Sequence, residues 1–147
     1  TETMSIAVVY WSGTGNTQAM AEAVAKGIAK GGAEAELLPV GQADPAKIAA
    51  GDVFALGCPS MGAEELEESE MEPFVQALEG MASGKRILLF GSYGWGDGEW
   101  MRTWEDRMKG AGAALIGGQG VIANEAPDEE ALDACEKAGE ALAKAAQ

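Results

Sequence analysis

The sequence predicts an α/β fold, a doubly wound five-stranded parallel sheet with helices on both faces. Short apolar runs typical of buried strands alternate with longer stretches in which apolar residues recur every third or fourth position. Parallel strands are joined by right-handed crossovers, each of which lays its helix against the sheet. The alternation therefore predicts a sheet that is covered on both sides, with the common strand order 2-1-3-4-5.

Length and composition predict one globular domain over residues 1–147. The chain is 47% hydrophobic and 23% charged, and its longest apolar runs are far too short to cross a bilayer. No charged-then-apolar leader precedes them. Cys58 and Cys135 lie far apart and histidine is absent, which favours a reduced setting without a metal site. We therefore expect a cytoplasmic protein that does not contact membranes.

The charge is strongly acidic and unevenly placed. Twenty-four acidic against ten basic residues give a formal charge of -14, which repels nucleic acids and anionic lipids and favours basic protein partners. Residues 61–80 contain seven glutamates and no lysine or arginine. This run is equally compatible with a solvated helix face and with a docking or redox role.

Four strands are predicted with clear boundaries, and a fifth is interrupted by glycines. The predicted strands are Ser5 to Tyr10, Ala35 to Pro39, Val53 to Cys58, Arg86 to Gly91, and a last strand divided into Ala113 to Ile116 and Val121 to Ala123. In the order 2-1-3-4-5, ligands bind beyond the carboxyl ends of strands 1 and 3, where the strand order reverses. The loops at 11–17, 59–66 and 92–98 are therefore expected to converge on one crevice.

Apolar stripes predict helices over about 16–30, 71–78 and 98–110, and a last helix that Pro127 opens. Ser69 and Glu72 have the spacing of a capping box at the second of these helices. Trp100 and Trp104 lie four residues apart on the third helix and are predicted to be core residues. Cys135 is predicted to be a core residue of the last helix.

The first loop has the composition of an anion site at the start of a helix. It consists of Ser12, Gly13, Thr14, Gly15, Asn16 and Thr17. Unpaired N–H groups and the helix dipole favour a phosphate at such a turn, and glycine lets the backbone approach it closely. No Gly-Lys-Ser/Thr follows the glycines, which argues against an ATP loop, and Gln18 replaces the third glycine of a dinucleotide fold. A well-capped helix start without a ligand remains the alternative.

The run from Tyr10 to Thr17 resembles the phosphate loop of the flavodoxins, commonly Ser/Thr-x-Thr-Gly-Asn-Thr. In that family the Ser, Thr and Asn side chains and the loop N–H groups hold the phosphate of FMN. The resemblance gives these roles to Ser12, Thr14, Asn16 and Thr17. The resemblance extends from about Ser5 to Lys144, and the chain is similar to the short-chain, clostridial-like type. This resemblance implies a flavodoxin-like fold with non-covalently bound FMN.

The second loop resembles the Met-Gly-x-Glu turn of short-chain flavodoxins and follows the third strand. It contains Ser60, Met61, Gly62, Ala63 and Glu64. In that family the Met-Gly peptide lies beside N5 of the flavin and reorients on reduction. The resemblance implies that Met61 packs on the inner face of the ring and that Glu64 accepts a hydrogen bond from flavin N3–H. Relatives often carry aspartate at the place of Ala63, a difference that bears on the tuning of the potential. A turn with a solvated carboxylate is the alternative.

The third loop places aromatic residues among glycines directly after a buried strand. It contains Ser92, Tyr93, Gly94, Trp95 and Gly96. A planar ligand would give Trp95 a stacking partner. By resemblance to the corresponding flavodoxin loop, Trp95 covers the outer flavin face and Ser92 contacts the phosphate. Asn124, after the last strand, matches an asparagine that approaches FMN in these relatives.

The resemblance implies a low-potential one-electron carrier rather than an enzyme, with no catalytic residues. Such a carrier shuttles electrons between redox enzymes in place of or alongside ferredoxin. It is expected to be a monomer that docks on basic surfaces of reductases and ferredoxin-dependent oxidoreductases. Carboxylates near the flavin disfavour its reduction, so neutralising Glu64, Glu65 and Glu67 is predicted to raise the potential. A small FMN-dependent quinone or flavin reductase on the same fold is the alternative.

Overall fold

The structure is a computed structural model that describes residues 5–61, 65–94 and 96–146, and its fold agrees with the predicted one. The strands are β1 (Ser5–Tyr10), β2 (Glu34–Pro39), β3 (Val53–Gly57), β4 (Arg86–Tyr93), β5 (Ala114–Leu115) and β6 (Val121–Asn124). All of these strands pair in parallel, in the order β2-β1-β3-β4, with β5 and β6 both beside β4. The predicted order 2-1-3-4-5 is therefore confirmed.

The fifth position of the sheet is shared by two short strands. β5 pairs with the first residues of β4 and β6 with the last four. Between them, Gly117 and Gly118 have φ angles of 77° and 79°, a left-handed conformation that turns the chain out of the sheet. The glycine run thus divides the strand, as the sequence indicates.

In the described residues, five helices flank the sheet: α1 (Asn16–Lys30), α2 (Pro45–Ala49), α3 (Met71–Glu79), α4 (Glu99–Gly110) and α5 (Glu129–Ala145). A 3-10 turn, Val40–Gln42, precedes α2. α2 has no recognisable sequence pattern, because five residues are too few to form a periodic apolar stripe. Asp44 caps α2 by accepting a hydrogen bond from the amide of Ala46 at 3.1 Å. None of the described helices is both long and apolar enough to span a bilayer.

The side chains of successive strand residues point to opposite faces of the sheet and pack into two apolar layers, one on each face. Phe54 and Leu56 of β3 contact the layer under α2, α3 and α4, whereas Ala55 between them contacts the layer under α1 and α5. α1 and α5 pack closely at two glycines, Gly27 of α1 and Gly139 of α5, each of which faces the backbone of the other helix. A Cβ on Gly27 would lie 1.8 Å from a backbone oxygen of α5, so only glycine fits there.

The predicted helix stripes are confirmed. Met20, Val24 and Ile28 of α1 are fully buried, and so are the paired core tryptophans of α4 and the cysteine of α5. Leu132 lies three residues before Cys135, a spacing that predicts the same buried side of α5, but it is only half-buried. The stripes therefore identify the faces of the helices correctly, except at the first turn of α5.

The capping box predicted for α3 and the place predicted for Pro127 in α5 are wrong, although α3 begins at Met71 as expected. Ser69 and Glu72 form no capping box, because the carboxylate of Glu67 accepts the amide hydrogen bonds at the start of α3. Pro127 lies outside α5, whose N-cap is Asp128; this side chain accepts from the amide of Ala131 at 2.8 Å. In both cases a carboxylate, which can accept several hydrogen bonds, forms the cap.

Both thiols are predicted to be unreactive in the folded protein. Burial raises the pKa of Cys58 and that of Cys135 to about 12, although a hydrogen bond from the backbone of Glu67 partly opposes the shift at Cys58. Because the thiolate is the reactive form, native labelling by a thiol reagent at pH 8 should be slower than in guanidinium by on the order of a thousandfold. Labelling should reach two thiols per chain only after unfolding. Rapid native labelling of either cysteine, located by peptide mapping, would contradict this.

Candidate functional site

A cavity of about 560 Å³ lies at the carboxyl ends of β1, β3, β4 and β6. Its volume is in the range of small-molecule and cofactor sites. The three loops identified in the sequence form most of its wall. The described lining residues are Trp11, Gly13, Thr14, Asn16, Pro59, Ser60, Met61, Ser92, Tyr93, Gly94, Glu125 and Ala126.

Backbone hydrogen bonds hold the loops against one another beyond the ends of the strands. The amide of Trp11 donates to the carbonyl of Gly57 at 3.0 Å, which joins the first loop to β3. The amide of Ser60 donates to the carbonyl of Ser92 at 2.9 Å, which joins the second loop to the third. The parallel ladder thus continues into the cavity wall.

The first loop forms a compact turn around the hydroxyl of Ser12. This oxygen accepts from the amide of Gly15 at 3.0 Å and from the amide of Gln18 at 3.3 Å, and Gly15 has a left-handed φ of 94°. A hydroxyl that accepts in this way still carries one O–H that can donate to a ligand. Since α1 begins at Asn16 without an acidic residue in its first turn, its dipole favours an anion at this end.

Two buried hydroxyls join the first loop to β4. Thr17 and Ser92 are 1% and 5% exposed, and their oxygens are 3.3 Å apart. The amide of Ser92 also donates to the Thr17 hydroxyl at 3.4 Å. Ser92 lines the cavity, whereas Thr17 lies behind it, so Thr17 supports the loop from within.

The second loop is closed by a short antiparallel bridge. The amide of Met61 donates to the carbonyl of Glu65, and the amide of Glu65 donates to the carbonyl of Met61, both at 2.8 Å. Met61 lines the cavity and is 36% exposed, so its apolar side chain is open to a bound ligand. The predicted contacts of Gly62, Ala63 and Glu64 lie outside the described residues.

Aromatic rings form part of the cavity wall. Trp11 and Tyr93 are half-buried lining residues, and the ring of Tyr93 packs on Trp100 at a centroid distance of 5.5 Å. Trp100 in turn donates its indole N–H to the carbonyl of Cys58 at 3.1 Å. The position of Tyr93 is therefore fixed from the core, while the predicted stacking residue Trp95 lies outside the described residues.

The end of β6 supplies the fourth side of the cavity. Glu125 has a left-handed φ of 56°, rare for a residue other than glycine, and its amide donates to the carbonyl of Tyr93 at 2.7 Å. Glu125 is the only charged side chain among the described lining residues. The preceding Asn124 points its amide at the same Tyr93 carbonyl, at 3.3 Å, and does not line the cavity.

The structure brings together eight of the residues that the sequence analysis selects. They are Gly13, Thr14, Asn16, Ser60, Met61, Ser92, Tyr93 and Gly94. Among the described residues, five of those selected do not line the cavity: Ser12, Gly15, Thr17, Gly96 and Asn124. The lining residues that the analysis did not select are Trp11, Pro59, Glu125 and Ala126. Trp11 and Pro59 directly follow predicted strands, and Glu125 and Ala126 lie two and three residues beyond the last one, so proximity to a carboxyl strand end was the available signal.

The cavity offers the groups that FMN requires. Hydroxyl and amide side chains and a helix start lie on the first-loop side, where a phosphate would be held by neutral donors. Flat aromatic and apolar walls from Trp11, Tyr93 and Met61 suit a ring system. No described lysine or arginine lines the cavity. These residues therefore fit FMN better than a nucleoside triphosphate, whose additional charge calls for cationic groups.

Comparison with known proteins leads to the same cofactor. The flavodoxin family model matches residues 8–139. The chain is 47% identical to a flavodoxin of Clostridium beijerinckii over 88% of its length and 93% of the relative. It is 46% identical to the flavodoxin of Megasphaera elsdenii, over 95% and 99%. The solution structure of that protein in its two-electron reduced state superposes with a TM-score of 0.86, covering 95% of this chain and 98% of the other. The chain therefore belongs to the flavodoxins, FMN proteins that transfer electrons and are not enzymes, and it is of their short-chain type.

Proposed function

We propose that this flavodoxin is a low-potential carrier of single electrons, and that it works between redox enzymes in place of or alongside ferredoxin. The observation that carries the proposal is the convergence of three loops on one open cavity, with neutral phosphate donors on one side and aromatic walls on the other. FMN, when bound, accepts and releases one electron at a time. We further propose that residues 1–147 act as one FMN-binding domain in the cytoplasm, where both thiols stay free.

The phosphate of FMN is proposed to lie at the start of α1. Thr14, Asn16 and Ser92 line this side directly and would donate to it. Ser12 is not itself a lining residue, but it is adjacent to the lining residue Gly13 and would donate its O–H to the phosphate while its oxygen holds the turn closed. Thr17 would act through Ser92, because its own side chain is buried behind the cavity wall. Gly13 and Gly15 leave room for the phosphate to approach the backbone.

The flavin ring is proposed to lie between the second and third loops. Met61 would pack on one face and Trp95 on the other, with Ser60, Tyr93, Gly94 and Gly96 along its edges. Resemblance to the family supports the roles of Gly62, Ala63 and Glu64 beside the polar edge of the ring, and that of Asn124 near the cofactor. Glu125, at the cavity wall, would add a negative charge that opposes reduction.

Partners are proposed to be redox proteins with basic docking surfaces, such as reductases and ferredoxin-dependent oxidoreductases. The formal charge is -14, and several exposed carboxylates lie within a few residues of the lining positions. These carboxylates are Glu65, Asp97, Glu99 and Glu125. Association that depends on such charges is fast at low salt and slows as ionic strength rises. Reduction by a basic-faced reductase is therefore expected to slow as the salt concentration rises.

A spectroscopic titration tests the function as a whole. The purified protein should bind one FMN, show its visible absorption, and take up electrons in two separate one-electron steps during reductive titration. Steady oxidation of NAD(P)H by the pure protein, without a separate reductase, would instead indicate the enzymatic alternative. Absence of FMN binding would overturn the proposal.

Ser12→Ala should weaken FMN binding by about fivefold to tenfold, since it removes one donor to the phosphate and the acceptor that closes the loop. Riboflavin lacks the phosphate, so its affinity should change much less, as fluorescence titration of both ligands will show. Ser5→Ala, at the opposite end of β1, is the matched control and should leave both affinities unchanged. Equal losses for FMN and riboflavin would place the effect away from the phosphate.

Glu125→Gln should raise the potential of the bound flavin. One carboxylate about 10 Å away at an effective dielectric near 20 opposes each electron by roughly 1.7 kcal/mol, or about 70 mV before screening by salt. Glu34→Gln removes the same charge at the start of β2, the far end of the sheet, and should shift the potential much less. Equal shifts in the two variants, measured by redox titration at low salt, would contradict a local electrostatic effect.

A further inference from the structure

Glu67 is a buried carboxylate that lies two residues after Glu65, which closes the second loop by its backbone bridge to Met61. We call the bridge between Met61 and Glu65 the bridged turn. Glu67 is 6% exposed, although glutamate is almost never buried without partners. It does not line the cavity. Its burial therefore needs an explanation other than direct contact with a cofactor.

Both oxygens of this carboxylate are saturated by the chain that leads into α3. One accepts from the amide of Ser69 at 2.8 Å and from the hydroxyl of the same residue. The other accepts from the amides of Glu70 and Met71, at 2.8 and 3.0 Å. The amides of Glu70, the N-cap of α3, and of Met71 are among the N–H groups that a helix start leaves without intrahelical partners, and a negative charge there also faces the positive end of the helix dipole.

The backbone of Glu67 is anchored as well. Its amide donates to the sulfur of Cys58 at 3.4 Å, and its carbonyl accepts from the amide of Glu72 at 2.8 Å. Cys58 directly follows β3, and its own amide donates to the carbonyl of Phe90 at 3.1 Å. Leu66, beside Glu67, is buried in the same apolar layer as Cys58. The segment from 58 to 67, which carries Met61, is therefore fixed at both ends.

We propose that Glu67 is a positioning residue for the flavin: its carboxylate fixes the far end of the second loop and thereby the placement of Met61 and the bridged turn against the ring. This inference rests on the proposed FMN site. It differs from the electrostatic role expected of Glu67 from the sequence, because the same carboxylate acts through backbone hydrogen bonds and not only through its charge.

The ionisation of Glu67 agrees with this role. Burial alone would raise its pKa, but hydrogen bonds from Ser69, Met71 and Glu70 outweigh burial and lower it. The carboxylate is thus ionised at neutral pH, when all of its bonds can form.

Three variants separate charge from position. Glu67→Gln is similar in size but offers one oxygen instead of two and turns an NH₂ toward amide donors. Glu67→Asp keeps the charge and shortens the reach by one methylene. Glu68→Gln removes the same charge from an exposed neighbour and is the matched control. For each protein, hydrogen exchange is measured without FMN, and the FMN dissociation constant and the two one-electron potentials are measured with FMN.

In both Glu67 variants, exchange should accelerate by tenfold or more at the amides of Ser69, Glu70 and Met71, and also at the bridge amides of Met61 and Glu65. FMN should bind about tenfold more weakly in both. The gap between the two potentials should change by about 59 mV or more, the equivalent of a tenfold change in an equilibrium constant for one electron. A distant charge moves both potentials in the same direction, so Glu68→Gln should leave the gap nearly unchanged.

The inference is overturned if Glu67→Asp keeps the wild-type gap and affinity, because charge alone would then explain the role of Glu67. It is also overturned if faster exchange in the variants stops at Ser69 to Met71 and the gap is unchanged, since Glu67 would then be only a helix cap. Should Glu67→Gln fail to fold, Glu67→Asp and the exchange measurements decide the question. If the wild-type protein binds FMN and both Glu67 variants behave like Glu68→Gln, only this inference is refuted. A wild-type protein that binds no FMN refutes the proposed function and this inference together.

Discussion

Parallel backbone pairing that continues past the ends of the strands is the constraint on which the site depends. β1, β3 and β4 are neighbouring parallel strands. Parallel strands are joined by crossover connections, whose helices cover both faces of the sheet with apolar residues. Beyond the strands, amide-to-carbonyl bonds from Trp11 to Gly57 and from Ser60 to Ser92 keep the loops in register. The cavity is therefore positioned by the same ladder that forms the sheet, and loop side chains need only complete it.

Much of this arrangement could be predicted from the sequence because it depends on periodic patterns. The fold could be identified from the alternation of short apolar runs with helical stretches, and from the apolar stripes of α1, α3 and α4. Glycine-rich turns identified the three loops. The caps of α3 and α5 could not be predicted, because several carboxylates near each helix start could serve, and only tertiary packing selects Glu67 and Asp128. α2 was too short for a pattern. The left-handed backbone of Glu125 has no sequence signal, since glutamate rarely adopts it.

The glutamates between positions 61 and 80 have more than one physical role. Glu67 is buried and accepts backbone hydrogen bonds, whereas Glu72 and Glu79 bind the guanidinium of Arg107 and join α3 to α4. Glu65 and Glu68 are exposed and contribute charge to the surface. Neither interpretation left open by the sequence, a solvated face or a docking or redox role, describes the whole run, because Glu67, Glu72 and Glu79 are held by partners within the fold. Composition alone cannot separate them, because burial and hydrogen bonding decide the role of each carboxylate.

The division of the fifth strand has a consequence for the behaviour of the protein at high concentration. A long free strand edge is a template on which another chain can add and aggregate. Here one edge consists of strands of two and four residues separated by left-handed glycines, so an incoming strand would lose its register almost at once. The opposite edge, β2, carries exposed Glu34 and Glu36 and ends in Pro39. Both borders of the sheet thus discourage the stacking of copies into fibres.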